Sequence, residues 1–432
     1  MLLSNVAFAS KCKICNLDET IEFLNLGDQP NGNKLLSSPL EYSAPTRLAY
    51  NYCSNCLSIQ QTSTFSDAEM YEDHPYLTLH NTQYLQDLDY FTKIVIENCE
   101  LIVGDLVIDI GCNDGSLLEK FRSCGFSVFG IDPSDTAFRY SKSKNIQVRK
   151  DFWNYDVSNW LKVNKILPKV VVSTASFYHM TEIQPWMKGI SNILSDGSYF
   201  AVQFVYSLDI IRKGRIDQFY HEHTFLHSVT AIKNLASLYG FNIIFVQETV
   251  SQGGSCIVIM KKNASASSTF IGLEKIIESE FEELTPIRLQ QFAESVDKLR
   301  FEWDFLANEF LRSGEKIVGI GASLRGISLI NFLKIDPMIF SGITEINSEK
   351  IGYWTPGSVI PIHRESLAQS SNTYFMVLAW TQKEEILKKY EGSLNSGNCL
   401  VFPSPNIEFY GNDHLGLEAK LKNWHQIEGR YN

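Results

Sequence analysis

The chain of 432 residues is long enough for about three domains of ordinary size. With 44% hydrophobic and 20% charged residues, it has a globular composition that argues against disorder as its main state. The net charge of −11 argues against nucleic acid as a partner, although a local basic pocket for one or two phosphate groups is compatible with it.

No stretch has the roughly eighteen apolar residues of a membrane helix. Ala7-Phe8-Ala9 resembles a signal-peptidase site, but it lacks the preceding basic residue and the long apolar run of a signal peptide. We therefore expect a soluble cytoplasmic protein with no membrane insertion.

Two cysteine pairs stand in the turn-rich N-terminal segment, residues 1–75. Cys12-x-x-Cys15 and Cys53-x-x-Cys56 are separated by 37 residues. Nine cysteines, an odd number, in a chain without a secretory signal favour reduced thiols over disulfides. Four thiolates suit a closed, tetrahedral and therefore structural zinc site. The alternatives are two unrelated buried pairs or a redox pair, which would need a βαβ context.

Strand and helix patterns alternate after this segment. Residues 76–100 have apolar side chains at helical spacing. The strands predicted after this helix are Leu106–Ile110, Ser127–Ile131, Lys169–Ser173, Tyr199–Val205, Asn242–Gln247 and Ser255–Met260, of which the last two form an antiparallel pair. This alternation predicts an α/β domain whose parallel sheet is covered on both faces.

A small, polar linker at residues 263–269 is followed by a long helical stretch from about 272 to 312. A second alternating block then opens at Lys316, with further strands at Tyr374–Ala379 and Cys399–Phe402. The domain limits that these patterns predict are 1–75, 76–265 and 266–432.

A glycine loop joins the first strand of the central domain to its helix: Asp109-Ile110-Gly111-Cys112-Asn113-Asp114-Gly115. Glycines let the backbone approach a ligand closely, and Asp132, which ends the next strand, can accept hydrogen bonds from ribose hydroxyls. The loop lacks the three-glycine dinucleotide pattern, and Asp114 would repel a pyrophosphate. S-adenosylmethionine therefore fits better than a dinucleotide, and the alternative is an α/β domain that binds no cofactor.

Tyr220-His221-Glu222-His223 precedes a helix that we expect to begin near Ser228. In an extended segment, Tyr220 and Glu222 would share one side and the two histidines the other. The cluster has no His-x-x-x-His pair, so it is a poor metal site. It has the groups of an acid–base centre, namely an imidazole, a carboxylate and a phenol. The alternative is ordinary surface polarity.

Together these motifs resemble the sugar C-methyltransferases that act on nucleotide-linked keto-sugars in deoxysugar biosynthesis. The resemblance covers nearly the whole chain and includes three motifs near its C-terminal end: Gly319-Ile320-Gly321-Ala322 with Gly326, the stretch from Gly352 to Ile362, and Leu378-Ala379-Trp380. It implies an N-terminal zinc-binding segment, a central class I (Rossmann-like) methyltransferase domain and a C-terminal second Rossmann-like α/β domain.

The resemblance also implies roles for particular residues. His223 would be the base, with Glu222 and Tyr220 around the sugar, while His179 and Tyr76 would be further active-site residues. The residues expected at S-adenosylmethionine are Asp109, Gly111, Asn113, Asp114, Gly115, Asp132 and Ala175. The chain departs from the family at Leu77-Thr78-Leu79-His80, where two serines are usual, and at Arg325, where a lysine is usual.

The expected reaction is C-methylation of a nucleoside-diphosphate-linked 4-keto-sugar at C3. His223 would remove the α-proton, and His179 and Tyr76 would donate hydrogen bonds to the enolate oxygen. Arg212, Lys213 and Arg215 precede the histidine cluster and could bind the diphosphate. The alternatives are O- or N-methylation of a sugar or another small molecule, and a noncatalytic zinc-containing binding protein. We expect a monomer or a weak dimer.

Overall fold

The computed structural model describes residues 8–9, 11–17, 20–72, 74, 76–263, 270–365, 372–379 and 383–428. Most of the expected linker, 264–269, and Trp380 lie outside these ranges. The chain divides into two compact units. The first falls within Met1–Asn25, Ala49–Ile211 and Glu222–Leu289, and the second within Leu26–Leu48, Arg212–His221 and Gln290–Asn432. None of the helices in the described ranges is both long and apolar enough to cross a membrane.

The N-terminal segment contains longer strands than its turn-rich sequence led us to expect. The strands are β1 (Phe8–Ala9), β2 (Thr20–Pro30), β3 (Pro45–Cys53) and β4 (Ile59–Gln61). They are consecutive neighbours in one sheet. Each cysteine pair includes a turn, and Cys53 is the last residue of β3. The strands therefore bring the two distant cysteine pairs close to each other.

Two helices follow, α1 (Asp67–Tyr71) and α2 (Thr82–Asn98), with a short 3₁₀ helix at Thr78–His80 between them. The helix predicted within residues 76–100 is confirmed as α2. Asn81 caps it, because the Asn81 side chain accepts a hydrogen bond from the backbone N–H of Tyr84 at 3.0 Å. The apolar face of α2 is buried against the central sheet.

The central α/β elements alternate as predicted. In chain order they are β5 (Leu106–Ile110), α3 (Ser116–Ser123), β6 (Ser127–Asp132), α4 (Asp135–Ser143), β7 (Val148–Lys150), α5 (Tyr155–Val163), β8 (Val170–Thr174), α6 (Ile183–Ile193), β9 (Tyr199–Val205), α7 (Ser207–Arg212), β10 (Phe225–Leu226), α8 (Val229–Leu238), β11 (Phe241–Thr249) and β12 (Ser255–Lys262).

Seven of these strands form one sheet in the order β11-β12-β9-β8-β5-β6-β7. Strand β12 is antiparallel to both of its neighbours, and the other pairs are parallel. The predicted antiparallel pair is therefore confirmed. Because the strand order reverses between β5 and β8, a crevice forms at their carboxyl ends, where α/β sheets bind ligands. Strand β10 is not part of this sheet and pairs with β4 instead. This pairing joins the N-terminal sheet to the segment that directly follows Tyr220-His221-Glu222-His223.

The helix predicted from 272 to 312 is wrong in one respect, because it is two helices, α9 (Leu273–Glu283) and α10 (Pro286–Ser313). Pro286 disfavours helical geometry at the residue before it and has no N–H to donate. The hydroxyl of Thr285 accepts a hydrogen bond from the backbone N–H of Arg288 at 3.3 Å, which begins the second helix.

The second unit contains another α/β sheet. Its elements are β13 (Ile317–Ile320), α11 (Leu324–Leu333), β14 (Phe340–Glu345), β15 (Ile362–Arg364), β16 (Tyr374–Val377), α12 (Lys383–Lys389), α13 (Glu391–Asn395), β17 (Cys399–Phe402), β18 (Glu408–Gly411) and α14 (Leu417–Glu428). The strand order is β15-β14-β13-β16-β17-β18, with only the β17–β18 pair antiparallel among those described. The second Rossmann-like domain is thus confirmed. The sequence analysis missed β14, β15 and β18.

Candidate active site

The glycine loop leaves the carboxyl end of β5 at the crevice. Gly111 and Gly115 have φ angles of +77° and +78°, in the left-handed region that favours glycine. A Cβ atom on Gly111 would lie 2.5 Å from the Ser176 hydroxyl, and one on Gly115 would lie 2.6 Å from Ile146. Larger residues would therefore strain the loop, and a ligand meets bare backbone here.

Asp132 ends β6 and is only 6% exposed. Its carboxylate accepts hydrogen bonds from the backbone N–H groups of Asn113 (2.8 Å) and Ser134 (2.9 Å). Burial raises the pKa of Asp132, and these two donors oppose the rise. Because each carboxylate oxygen can accept two hydrogen bonds, Asp132 can hold the loop and still accept from ligand hydroxyls.

Asp109 is buried within β5, and its Oδ1 atom has no hydrogen-bond partner in the described part of the chain. Burial and the neighbouring charge of Asp132 raise the pKa of Asp109 well above its usual value. A cationic ligand group would stabilise this carboxylate. The two glycines of the loop, Asp132 as an acceptor for hydroxyl groups, and the buried carboxylate of Asp109 together suit S-adenosylmethionine, which carries a ribose and two cationic centres.

The other expected cofactor residues shape the loop. Asp114 is fully buried, and its carboxylate accepts from Ser116 and from the backbone N–H of Leu79. Its oxygens therefore accept from groups of the protein itself, at the start of α3 and at Leu79. Asn113 and Ala175 have φ angles of +47° and +52°, and Ala175 follows directly after β8.

Residues 67–72, 74 and 76–79, here called the strap, cross the glycine loop. The side chain of Asn113 donates to the carbonyl of Tyr76 (3.0 Å) and accepts from the N–H of Thr78 (2.9 Å). The Leu79–Asp114 bond adds a third link. The Tyr76 backbone is thus fixed on the glycine loop, while Tyr76 as a residue is 44% exposed.

Two expected active-site histidines lie together. The ring centroids of His179, from the loop after β8, and His223 are 5.5 Å apart with an interplanar angle of 26°. The Tyr178 ring stands edge-on to both, at 4.5 and 4.9 Å. His223 is 1% exposed, and its carbonyl accepts hydrogen bonds from the Tyr50 hydroxyl (3.1 Å) and the Gln61 amide (3.0 Å).

The Tyr-His-Glu-His segment is not extended as expected. It turns at His221 and Glu222, and the backbone N–H of Thr224 donates to the carbonyl of Glu222 at 3.0 Å. The turn breaks the simple two-sided alternation. Glu222 and His223 belong to the first unit, while Tyr220 and His221 belong to the second. There, the His221 imidazole lies 3.1 Å from the carbonyl of Gln29.

The sequence analysis did not single out His74, whose Nε2 atom lies 2.7 Å from Oε1 of Glu222. The two residues are 148 positions apart. The one available signal was the closeness of His74 to Tyr76 in the sequence. It also missed Tyr71, whose ring stacks on His179 at 5.8 Å and whose hydroxyl reaches the carbonyls of His179 and Glu222.

A buried charge cluster surrounds Tyr220 within the second unit. Asp217 lies 3.4 Å from the guanidinium of Arg215 and 3.9 Å from that of Arg325. Arg325 also donates to the Tyr220 hydroxyl at 3.4 Å. Burial raises the pKa of Asp217, and the two guanidinium groups oppose this rise. Asp217 thus contacts two guanidinium groups, one from Arg215 and one from Arg325. The other two basic candidates, Arg212 and Lys213, are exposed.

The four N-terminal cysteines converge as their spacing predicted. All four Sγ atoms lie within 4.8 Å of one another, with Cys12–Cys56 at 3.5 Å and Cys15–Cys53 at 3.7 Å. These separations are too long for disulfides, whose sulfur atoms are about 2.05 Å apart. Tetrahedral zinc with Zn–S bonds of about 2.3 Å gives sulfur–sulfur distances of about 3.8 Å. The donor set therefore fits a closed zinc site.

Both cysteine turns contact the loops that carry the histidines. The Lys13 ammonium donates to the carbonyl of Thr181 at 2.7 Å, and the Gln184 amide donates to that of Ile14 at 2.7 Å. The Ser228 hydroxyl donates to the carbonyl of Cys56 at 3.4 Å. Ser228 also caps α8, as the sequence predicted for a helix beginning there. The two cysteine turns thus contact the segments that follow His179 and His223.

Comparison with known proteins gives two family matches. A model described as a methyltransferase domain matches residues 85–246, and one described as a C-methyltransferase C-terminal domain matches residues 250–405. The C-methyltransferase NovU of Streptomyces niveus is 22% identical over 400 residues, which cover 91% of this chain and 95% of that protein.

Two solved structures are also similar to part of the chain. Magnesium protoporphyrin IX methyltransferase from Synechocystis with bound S-adenosylmethionine is 16% identical and has a TM-score of 0.32, covering 41% of this chain and 79% of that one. An S-adenosylmethionine-dependent methyltransferase from Clostridium acetobutylicum is 15% identical with a TM-score of 0.34, covering 42% and 92%. The two family matches and the similarity to a C-methyltransferase over nearly the whole chain identify an S-adenosylmethionine-dependent methyltransferase with a Rossmann-like methyltransferase domain.

Proposed function

We propose that this enzyme methylates C3 of a nucleoside-diphosphate-linked 4-keto-sugar, with His223 as the base. The observation that carries this proposal is the stacked pair of imidazoles, His179 and the buried His223, in the same compact unit as the glycine loop. A sugar carbon has no lone pair with which to attack a methyl group. It becomes a nucleophile only when a base removes a proton next to a carbonyl, so C-methylation needs such a pair of groups.

In this mechanism, the imidazole of His223 takes the C3 proton, and the C–H electron pair becomes the enolate. His179 and Tyr76 donate hydrogen bonds to the enolate oxygen, which stabilises the negative charge as it develops. S-adenosylmethionine held at the glycine loop and Asp132 would supply the methyl group as an electrophile and would leave as the uncharged thioether, with the enolate providing the electron pair of the new C–C bond. Glu222 and Tyr220 orient the groups around the sugar, and the proton stays on His223 until product leaves.

We assign the cofactor site to the crevice at the carboxyl ends of β5 and β8. Asp132 accepts from the ribose hydroxyls, and Asp109 faces a cationic group of the methionine part. Gly111 and Gly115 admit the cofactor, and Ala175 completes the site. Asn113 and Asp114 act through the loop conformation that they hold.

The substrate diphosphate is assigned to the basic residues near Tyr220. Arg215 and Arg325 both approach the carboxylate of Asp217, and the support for this assignment is that two guanidinium groups, which can donate to phosphate oxygens, lie together there. Arg325 stands where the family usually has lysine. The planar guanidinium group of arginine can bind two phosphate oxygens at once. The exposed Arg212 and Lys213 add positive charge nearby in the sequence.

We also propose that Cys12, Cys15, Cys53 and Cys56 bind one structural zinc ion. The support is the convergence of four thiol sulfurs within 4.8 Å of one another, which supplies the four ligands of a tetrahedral site. Such a site would stabilise the fold, because a four-thiolate zinc has no position for substrate.

The test is His223→Ala, assayed with a panel of nucleoside-diphosphate 4-keto-sugars. Methyl transfer should fall by more than the ~10²–10⁴-fold typical of a lost general base, because without the enolate there is no nucleophile. S-adenosylhomocysteine binding should be unchanged. His363→Ala, at an exposed position in the second unit, is the matched control.

Proton abstraction can be followed without methyl transfer. In D₂O with S-adenosylhomocysteine, the native enzyme should place deuterium at C3 of the keto-sugar, and His223→Ala should not. Near-native turnover by His223→Ala, with loss in His179→Ala, would assign the base to His179. Equal methylation of keto-sugars and their reduced forms would instead favour the O-methyltransferase alternative, which needs no α-proton.

A further inference from the structure

We propose that His74 is a positioning residue that couples the cofactor loop to the base, His223, through Glu222. This inference rests on the proposed function of His223. Its physical basis is the contact between His74 Nε2 and Glu222 Oε1 at 2.7 Å, between side chains that are only 17% and 10% exposed. A hydrogen bond to a carboxylate in such a sheltered place is stronger than one at the surface.

Glu222 directly precedes His223, so the position of its side chain constrains the backbone of the base. The His223 backbone has two further contacts, because Tyr50 and Gln61 both donate to its carbonyl. Tyr71, on the strap, reaches the carbonyls of Glu222 and His179. His74 adds a contact to the Glu222 side chain to these contacts with the backbone.

The same strap is bonded to the residues assigned to the cofactor. The carbonyl of His74 accepts from the Ser134 hydroxyl at 3.3 Å, and the backbone N–H of Ser134 donates to the Asp132 carboxylate at 2.9 Å. A few residues later, Tyr76 and Thr78 hydrogen-bond with Asn113 in the glycine loop. His74 therefore lies between the ribose-binding carboxylate and the carboxylate next to the base.

Two consequences follow from this placement. A cofactor that orders the glycine loop should also order the backbone at Glu222 and His223. Loss of the His74 side chain should impair the chemical step more than cofactor binding, because the contacts from Asn113 and Asp114 to the strap backbone remain. A misplaced base can cost a large part of the rate even when every reacting group is present.

The kinetic test compares His74→Ala, His74→Gln and Glu222→Ala with the native enzyme. We expect His74→Ala to lower kcat by about 10- to 100-fold and to change KM for S-adenosylmethionine by less than about threefold. His74→Gln should restore most of kcat, because its amide N–H can replace the imidazole N–H. The double variant His74→Ala/Glu222→Ala should be no slower than Glu222→Ala. The control is His80→Ala, an exposed histidine just beyond the strap.

A second measurement needs no sugar substrate. Hydrogen–deuterium exchange of the peptide covering residues 220–225 should slow when S-adenosylhomocysteine binds the native protein, and should not respond in His74→Ala. If the sugar reaction fails but this difference is seen, the coupling stands and the proposed function is wrong. Multiplicative losses in the double variant, no rescue by glutamine, or an unchanged exchange response in His74→Ala would overturn the role of His74.

Discussion

In both α/β units, a carboxylate at the end of a strand accepts hydrogen bonds from the loop that follows the neighbouring strand. Asp132 ends β6 and accepts from the backbone of Asn113, in the loop after the neighbouring strand. Glu345 ends β14 and accepts from the backbone N–H of Ala322, in the corresponding loop of the second unit, at 2.9 Å. In each case a buried carboxylate satisfies loop N–H groups that would otherwise lack partners.

Replacing Asp132 tests its second proposed role, which is to accept hydrogen bonds from the ribose of the cofactor. Asp132→Ala removes a charged acceptor, which should weaken S-adenosylhomocysteine binding by about 1.5–3 kcal/mol, or roughly tenfold to a hundredfold. Isothermal titration calorimetry measures this directly. Asp135→Ala is the matched control, since Asp135 is close in sequence but largely exposed and pairs with Lys150. Unchanged affinity in Asp132→Ala would place the ribose elsewhere.

At the scale of elements, a carboxylate that the sequence did not single out holds a helix in place. Glu280 on α9 is fully buried, and it accepts from the backbone N–H groups of Val229 (2.6 Å) and Thr230 (2.8 Å) at the start of α8. The Tyr206 hydroxyl donates to it as well, at 2.8 Å. A negative charge at a helix N-terminus is favourable, so α9 stabilises the helix that follows the histidine cluster.

The two cysteine turns are the elements whose loss should be most damaging. We expect one zinc per chain in the native protein and none in Cys12→Ser/Cys53→Ser, as measured by elemental analysis. The variant should also be poorly soluble, because the free energy of binding a structural zinc is part of the folding free energy. Full metal content in the double variant would contradict the assignment.

Cys124→Ser provides the control for the cysteine variant. Cys124 is exposed and lies far from the cluster in the sequence. This substitution removes a thiol and leaves the four proposed ligands unchanged, so metal content and solubility should match those of the native protein.

At the scale of the whole molecule, buried neutral histidines make stability depend on pH. Burial lowers the pKa of His221, in the second unit, and of His227, in the first, to about 4 in each case. Their ordinary pKa is about 6.5, so between pH 6.5 and 4 the unfolded chain binds more protons than the folded one. Stability should therefore fall as pH decreases through this window, by about 3 kcal/mol for each histidine.

Urea unfolding at several pH values between 7.5 and 4.5 measures this effect. Buried carboxylates with raised pKa, such as Asp109 and Glu280, contribute the opposite slope, so the comparison must be made against a variant. His227→Gln should show a shallower loss of stability on acidification than the native protein. His363→Gln, at an exposed position, should not, and equal slopes in all three proteins would refute the role of His227.

The sequence by itself determined the features that depend on short stretches of chain. Apolar runs of strand length, the glycine loop before a helix and Asp132 at the end of the next strand predicted the central α/β domain. The cysteine spacing predicted the sulfur cluster. These patterns succeed because strand burial, turn geometry and helix capping depend mainly on neighbouring residues.

Only the tertiary structure decided how the proposed active site is assembled. The turn at Glu222 separates residues that simple alternation would group, and His74 meets Glu222 across 148 positions of chain. Short-range periodicity carries no information about such pairs, because the contact depends on where the strap crosses the glycine loop. The strap is placed by its hydrogen bonds to Asn113 and Asp114, which exist only once the sheet has brought its strand ends together.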